Sequence, residues 1–330
     1  MKRYAQRSLP WIMRWTFFCL ILAPSLGYAA NLRLGIIGTD SSHSVEFVRL
    51  LNDTGSKDHV SGATIVAAFR GGNPALPLSH DRIEKFTSQL KTQWKIPFVA
   101  SIGELCPQVD GLLILSVDPA ARLHEFEQAA TCHKPIFIDK PLAGTLEEAQ
   151  KINQFATRNH IPWFSASALR FFASPLPGNI VSANIWGPGT LGKLEEGYSL
   201  DLAWYGIHSI EMLYAAMGPG IAQIARIHTG DSDTITAVWR DGRSGTVHLV
   251  RPTAPFSAIF QLAAGKLSDL ETFPVNYRPQ VQAIVDFVRT GSPPISTAAT
   301  LEEFAVMQAA QTSMEHNGAL TEIDIQSATR

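Results

Sequence analysis

From Leu32 to about Phe164 the chain alternates short apolar runs with longer amphipathic ones, and few folds satisfy that pattern. A short apolar run bounded by turn residues reads as a buried strand. When helices alternate with such strands, each helix carries the chain back to the edge it left, so the strands line up in parallel. The strand runs are 32–38, 64–69, 98–100, 111–115, 136–138 and 163–165, with helices expected over 45–51, 82–93, 121–130 and 146–158. Before the last helix Thr145 can cap, and Glu147 and Glu148 favour the positive end of its dipole. The crossovers should be right-handed.

The first thirty residues read as something other than fold. Lys2, Arg3, Arg7 and Arg14 form a basic start, an apolar stretch follows from Thr16 to Leu26, and Gly27-Tyr28-Ala29-Ala30 supplies small residues suited to a signal peptidase. The apolar stretch is short for a bilayer and Pro24 interrupts it, so a cleaved export signal is expected over 1–30, with no stable membrane insertion after cleavage and a periplasmic or secreted product. That segment holds four of the 27 basic residues and none of the 29 acidic ones, which leaves the remainder with 23 basic against 29 acidic side chains. Mild acidity argues against nucleic acid or an anionic membrane as partner. Beyond the signal the cysteines are Cys106 and Cys132, which pair in an oxidising compartment or stay as two buried thiols. The ten histidines fall in no metal-ligand spacing, so no metal site is expected.

After Phe172 the texture changes. Residues 173–200 are rich in Gly, Pro and Ser, a helical pattern covers 207–217, and β-like runs follow at 221–228, 234–239, 245–250 and 258–262. Asp241-Gly242 is a hairpin signal between two of them. Helices at 280–290 and 301–315 close the chain. The fold class expected is therefore α/β: a Rossmann-like parallel sheet over 31–165, then an α+β domain over 166–330 with an open-faced, mainly antiparallel sheet.

Three places carry chemistry. Gly35 and Gly38-Thr39-Asp40-Ser41-Ser42-His43 lie where a dinucleotide fingerprint belongs, a strand running into a glycine turn. Counting from Gly38, the second glycine is Asp40 and the last is His43. A carboxylate facing a diphosphate costs about 1–3 kcal/mol unless neutralised. Ser41, Ser42 and the first helical amides can still donate to phosphate; otherwise Asp40 and the serines simply turn and cap the helix. Arg70 ends the second strand where an arginine accommodates a 2′-phosphate, a lean toward NADP over NAD, unless it is only a solvated loop residue. Ile136 to Pro141 is an apolar run ending in Asp139-Lys140-Pro141, at the carboxyl end of a buried strand where open α/β sheets bind ligands. Lys140 there can serve as acid and base through a depressed pKa, with Pro141 restricting the residue before it; the plainer reading is a lysine snorkelling from a strand end.

These features resemble the Gfo/Idh/MocA oxidoreductases, whose strand ending Glu-Lys-Pro is matched by Ile138-Asp139-Lys140-Pro141 with a conservative acid. The resemblance spans nearly all of the chain beyond residue 30. It implies that Lys140 contacts both nicotinamide ribose and substrate, that Ser116 and Asp118 lie in a loop beside the cofactor, and that Arg170 ends the sixth strand near it. Trp204-Tyr205-Gly206-Ile207-His208 is similar to the family's second motif, an aspartate four residues before a histidine; His208 and Gly206 match and Trp204 takes the place of the acid. On this resemblance His208 accepts the hydroxyl proton, Tyr205 offers a phenol, and the activity is NAD(P)-dependent oxidation of a sugar or cyclitol with a tightly held cofactor. Two alternatives stand beside it: a glycosidase or epimerase working by transient oxidation, and a carbohydrate-binding relative whose redox site has decayed. The open sheet implies a homo-oligomer.

Overall fold

The computed structural model describes residues 30–172 and 175–324. The expected export signal falls on 1–30, of which only Ala30 is described. Among the described residues the first half forms a six-stranded parallel sheet of order β3-β2-β1-β4-β5-β6. Its strands are β1 (Leu32–Ile37), β2 (Ala63–Phe69), β3 (Phe98–Val99), β4 (Gly111–Ile114), β5 (Ile136–Asp139) and β6 (Trp163–Ala166). All lie within a residue or two of the expected runs, because each is apolar on both faces and flanked by turn residues. The helices are α1 (Ser42–Asn52), α2 (Pro77–Thr92), α3 (Arg122–Ala130) and α4 (Leu146–Asn159). Thr145 caps α4, its hydroxyl accepting from Glu148 N. A disulfide joins Cys106 and Cys132, settling the choice left open above in favour of a pair.

The second half builds a mixed sheet of order β12-β11-β7-β10-β9-β8-β13, antiparallel except where β7 runs parallel to β10. Helix α5 (Gly206–Met217) packs against β7 (Ile180–Pro188) and β10 (Ser244–Val250). The remaining strands are β8 (Ile221–His228), β9 (Ser232–Trp239), β11 (Ser257–Leu262), β12 (Glu271–Thr272) and β13 (Thr321–Glu322). Strand β7 lies within the Gly-, Pro- and Ser-rich stretch 173–200, where no strand was expected. Its Asn184, Gly187 and Pro188 hid a strand whose inward residues Ala183 and Ile185 are fully buried.

Asn31–Arg330 is one compact unit, and α6 (Arg278–Thr290) returns from the second half to the first sheet. Val281, Ile284, Val285 and Phe287 of α6 share a core with Leu34, Phe47, Phe137 and Phe164. Phe287 meets Phe164 edge-on at 5.0 Å, and Gln280 Nε2 donates to Ala166 O at 2.7 Å. That return sets Tyr277, just ahead of α6, against the opening of α1. The last long helix, α7 (Thr297–Glu315), lies against α4 and β8.

Candidate active site

The carboxyl ends of β5 and β6, the start of α1 and the start of α5 surround a cavity of about 240 Å³. Of the residues expected in the site, Ser41, Ser42, Ser116, Asp139, Lys140, Tyr205 and His208 line it. Lys140 stands at the end of β5, its Nζ donating to Trp204 O at 3.3 Å and lying 5.1 Å above the Trp204 ring and 5.7 Å from that of Tyr205. Burial lowers its pKa to about 8, with Arg122 adding to the effect and Asp139 and Glu211 opposing it. The Lys140–Pro141 peptide bond is cis. The lysine is thus held under aromatic rings inside the cavity rather than snorkelling outward.

His208 stands half-buried beside it. Burial first, then the positive charge of Lys140 and of His43, pushes its pKa well below 6.5. Its Nδ1 faces Ser167 Oγ at 2.6 Å, and no carboxylate touches it among the described residues. Trp204 brings only a ring and a carbonyl where the resemblance places an acid.

Four lining residues went unmarked by the sequence. His43 occupies the last fingerprint position, and that departure from glycine was its one signal. Its Nδ1 lies 2.5 Å from Asp139 Oδ2, and its Nε2 2.9 Å from the hydroxyl of Tyr277. Burial works against ionisation of Asp139, yet the charge and hydrogen bond of His43, with Lys140 and Arg122, hold its carboxyl below the usual range. Arg122 is 1 % exposed and donates to the carbonyls of Asp139 and Ser116, bracing the ends of β5 and β4. Its Nε and the hydroxyl of Tyr198 are buried without a protein partner and border the cavity.

The other expected residues stand elsewhere. Gly35 is inside β1, packed under Val109 and Leu112, and never reaches the crest. Arg170 pairs with Glu303 and, at 3.9 Å, with Glu211 in a buried cluster and does not line the cavity. Arg70 is engaged by Glu84. Pro141 is buried beyond the strand end and does not line the cavity. Gly38 does form the turn: its φ is +87°, and a Cβ there would lie 2.2 Å from Ser116 Oγ.

The fit of a dinucleotide divides along the crest. Around Lys140 it is good: a cavity with serines at a helix start, a lysine, and two unpartnered donors suits the nicotinamide end. Over the glycine turn the surface is already covered. Thr39 and Asp40 are fully buried, whereas an open dinucleotide groove leaves such residues to solvent. Asp40 accepts from Ser79 Oγ at 2.6 Å and from Val117 N at 3.2 Å. Thr39 Oγ1 donates to Arg70 O at 3.1 Å. Asn73 Nδ2 donates to Asp118 Oδ2 at 2.8 Å, spanning the space between the ends of β2 and β4. Thr39, Asp40 and Asp118 therefore hold the loop of residues 70–79 down over the crest.

No family model and no curated protein matches the chain. Solved structures do. An oxidoreductase from Agrobacterium radiobacter, in complex with NAD+, L-tartaric acid and magnesium, superposes with a TM-score of 0.66 at 17 % identity, covering 89 % of this chain and 99 % of that one. Myo-inositol dehydrogenase from Lactobacillus casei, in complex with NAD(H) and myo-inositol, gives 0.67 at 16 %, over 89 % and 97 %. GenD2 from gentamicin A biosynthesis, in complex with NAD, gives 0.68 at 11 %, over 92 % and 99 %. Identities this low speak to architecture alone, and in architecture the chain is similar to these NAD-bound oxidoreductases.

Proposed function

We propose that this chain is an exported NAD(P)-dependent oxidoreductase that acts on a hydroxyl of a sugar or cyclitol and keeps its cofactor tightly held. The observation that carries the reading is Lys140, at the end of β5, inside a cavity shared with His208 and Tyr205. The relatives in fold support it, since one was crystallised with NAD(H) and myo-inositol and another with NAD+ and L-tartaric acid. Export is supported by the basic, apolar and small-residue start and by the Cys106–Cys132 disulfide, a bond that persists in oxidising compartments. Arg70 can serve a 2′-phosphate of NADP only after leaving Glu84, so the choice between NAD and NADP turns on that pair. A homo-oligomer is supported by Leu267 and Leu270, each 62 % exposed near the β11–β12 edge.

The nicotinamide supplies a hydride acceptor when bound. The chain's own groups do the rest. Lys140, its pKa lowered to about 8, reaches both of its protonation states near neutrality. As ammonium it donates to a substrate oxygen, orienting it and favouring release of its proton. His208 stays neutral, and its bond to Ser167 fixes the plane of its ring toward the substrate. Tyr198, Trp204 and Phe256 wall the cavity and exclude water. Native mass spectrometry of the protein from its own host, with calorimetric titration of NAD+ and NADP+, tests the reading; neither bound nicotinamide nor measurable binding would sink it. A second reading, a carbohydrate-binding relative with a decayed redox site, is favoured by one observation, the burial of Thr39 and Asp40. In that case Lys140→Met leaves sugar binding intact and removes no activity.

A further inference from the structure

Resting on the oxidoreductase reading, we infer that Tyr277, His43 and Asp139 form the proton-accepting chain of this cavity, in place of the acid absent at Trp204. The proton has to settle somewhere that tolerates positive charge. His208 is a poor place, because it has no carboxylate partner and faces the cation of Lys140. Across the same cavity an imidazole and a carboxylate do meet, His43 Nδ1 to Asp139 Oδ2 at 2.5 Å. An ionised carboxylate only accepts, so Nδ1 of His43 carries the hydrogen of that bond. Nε2 is then the acceptor, and the hydroxyl of Tyr277, 2.9 Å away, donates to it. The remaining lone pairs of the phenol are left for the cavity, which Tyr277 lines.

The step balances. The substrate hydroxyl proton passes to Tyr277 Oη while the phenol's own proton passes to His43 Nε2. The C–O bond becomes C=O, and the hydrogen of the broken C–H bond, with both its electrons, would pass to a bound oxidised nicotinamide. One proton ends on His43 as imidazolium against the Asp139 carboxylate, and Tyr277 is again a neutral phenol. Tyr277 is thus the catalytic residue and Asp139 a positioning residue. The geometry is held by packing: the rings of His43 and Tyr277 lie 4.7 Å apart, and Phe47 stacks on His43 at 6.0 Å and 13°. The charged and titratable groups facing the pair are Asp139 and Lys140 of β5, Glu46 of α1, and Tyr205 and His208 at the head of α5. Lys140 and His208 remain in contact with substrate, orienting its oxygen while the proton leaves by the other wall.

A mere structural pin between α1 and α6 has the same contacts, so the test needs readouts that a pin does not move. On the full mature chain, ¹⁵N-imidazole resonances at pH 8, with His43 assigned through His43→Gln, should show the Nδ1–H tautomer; an Nε2–H tautomer overturns the chain. With NAD+ and myo-inositol as probes, Tyr277→Phe, which keeps the ring and its stacking, should lower kcat about 100-fold while KM and the Kd for NAD+ stay within about threefold. An unchanged kcat, or a loss confined to KM, overturns the inference. A wild-type protein that neither binds NAD+ nor turns over defeats the oxidoreductase reading instead, and the tautomer measurement still judges the hydrogen-bond chain on its own.

Discussion

Glu125 offers the sharpest quantitative test of how the crest is built. It lies on α3, 7 % exposed, accepting from Ser116 Oγ at 2.5 Å, within reach of Asp40 and Asp118. Burial raises its pKa from 4.5 to about 7; the Ser116 bond and Arg122 pull against that, while the two aspartates reinforce it. For an acid with a raised folded-state pKa, the folded protein holds the proton longer than the unfolded one. Its contribution to stability is therefore fully present below 4.5 and disappears as pH rises through about 7. At about 1.4 kcal/mol per pH unit, the interval from 4.5 to about 7 amounts to about 3 kcal/mol lost between pH 4.5 and 8. Glu125→Gln keeps an acceptor for Ser116 and does not titrate. Urea unfolding at pH 5 and pH 8 should show wild type losing roughly that amount relative to the variant, with equal m-values. Parallel pH dependence of the two proteins would refute the placement of a protonatable acid beneath the glycine turn.

Removing the carboxylate that covers the crest, by Asp40→Gly, should tighten NAD+ about 5- to 150-fold by calorimetry, the equivalent of about 1–3 kcal/mol, while freeing Ser79 and Val117 lowers stability. Unchanged affinity would mean that the loop of residues 70–79 does not guard the cofactor path. Oxidation of a hydroxyl should fall as pH rises through about 8, because Lys140 then loses the ammonium that orients the substrate oxygen. Lys140→Arg, which keeps its charge throughout, should remove that fall in the pH profile of kcat/KM. Replacing both Cys106 and Cys132 by serine opens a loop of 26 residues and should cost about 3–4 kcal/mol in urea unfolding; a change under about 1 kcal/mol would show that the unfolded chain gains little freedom there.

Much of the first sheet was readable because β4, β5 and β6 are buried on both faces and so appear as short, almost uninterrupted apolar runs. Strand β7 was not, because it pairs on both sides yet its apolar run is broken by Asn184, Gly187 and Pro188. Lys140 could be located from its strand alone, since the end of β5 fixes where it stands. His43 could be located but not understood: its partners Asp139 and Tyr277 lie 96 and 234 residues away. Contacts over such distances leave no periodicity to read. Asp40 shows the same limit from the other side. Its side chain turns away from the groove to bond Ser79 and Val117, and the sequence supplies its charge without its direction. Arg170 failed for a related reason, since the acids that claim it come from α5 and α7.

The return of α6 to the first sheet has a consequence for biosynthesis. A nascent chain that has completed all six parallel strands still has no pocket wall at Tyr277, and the face of that sheet later covered by Val281, Val285 and Phe287 stays bare. Competence arrives only when nearly the whole polypeptide has emerged. Fragments ending before residue 277 should be sticky and inert.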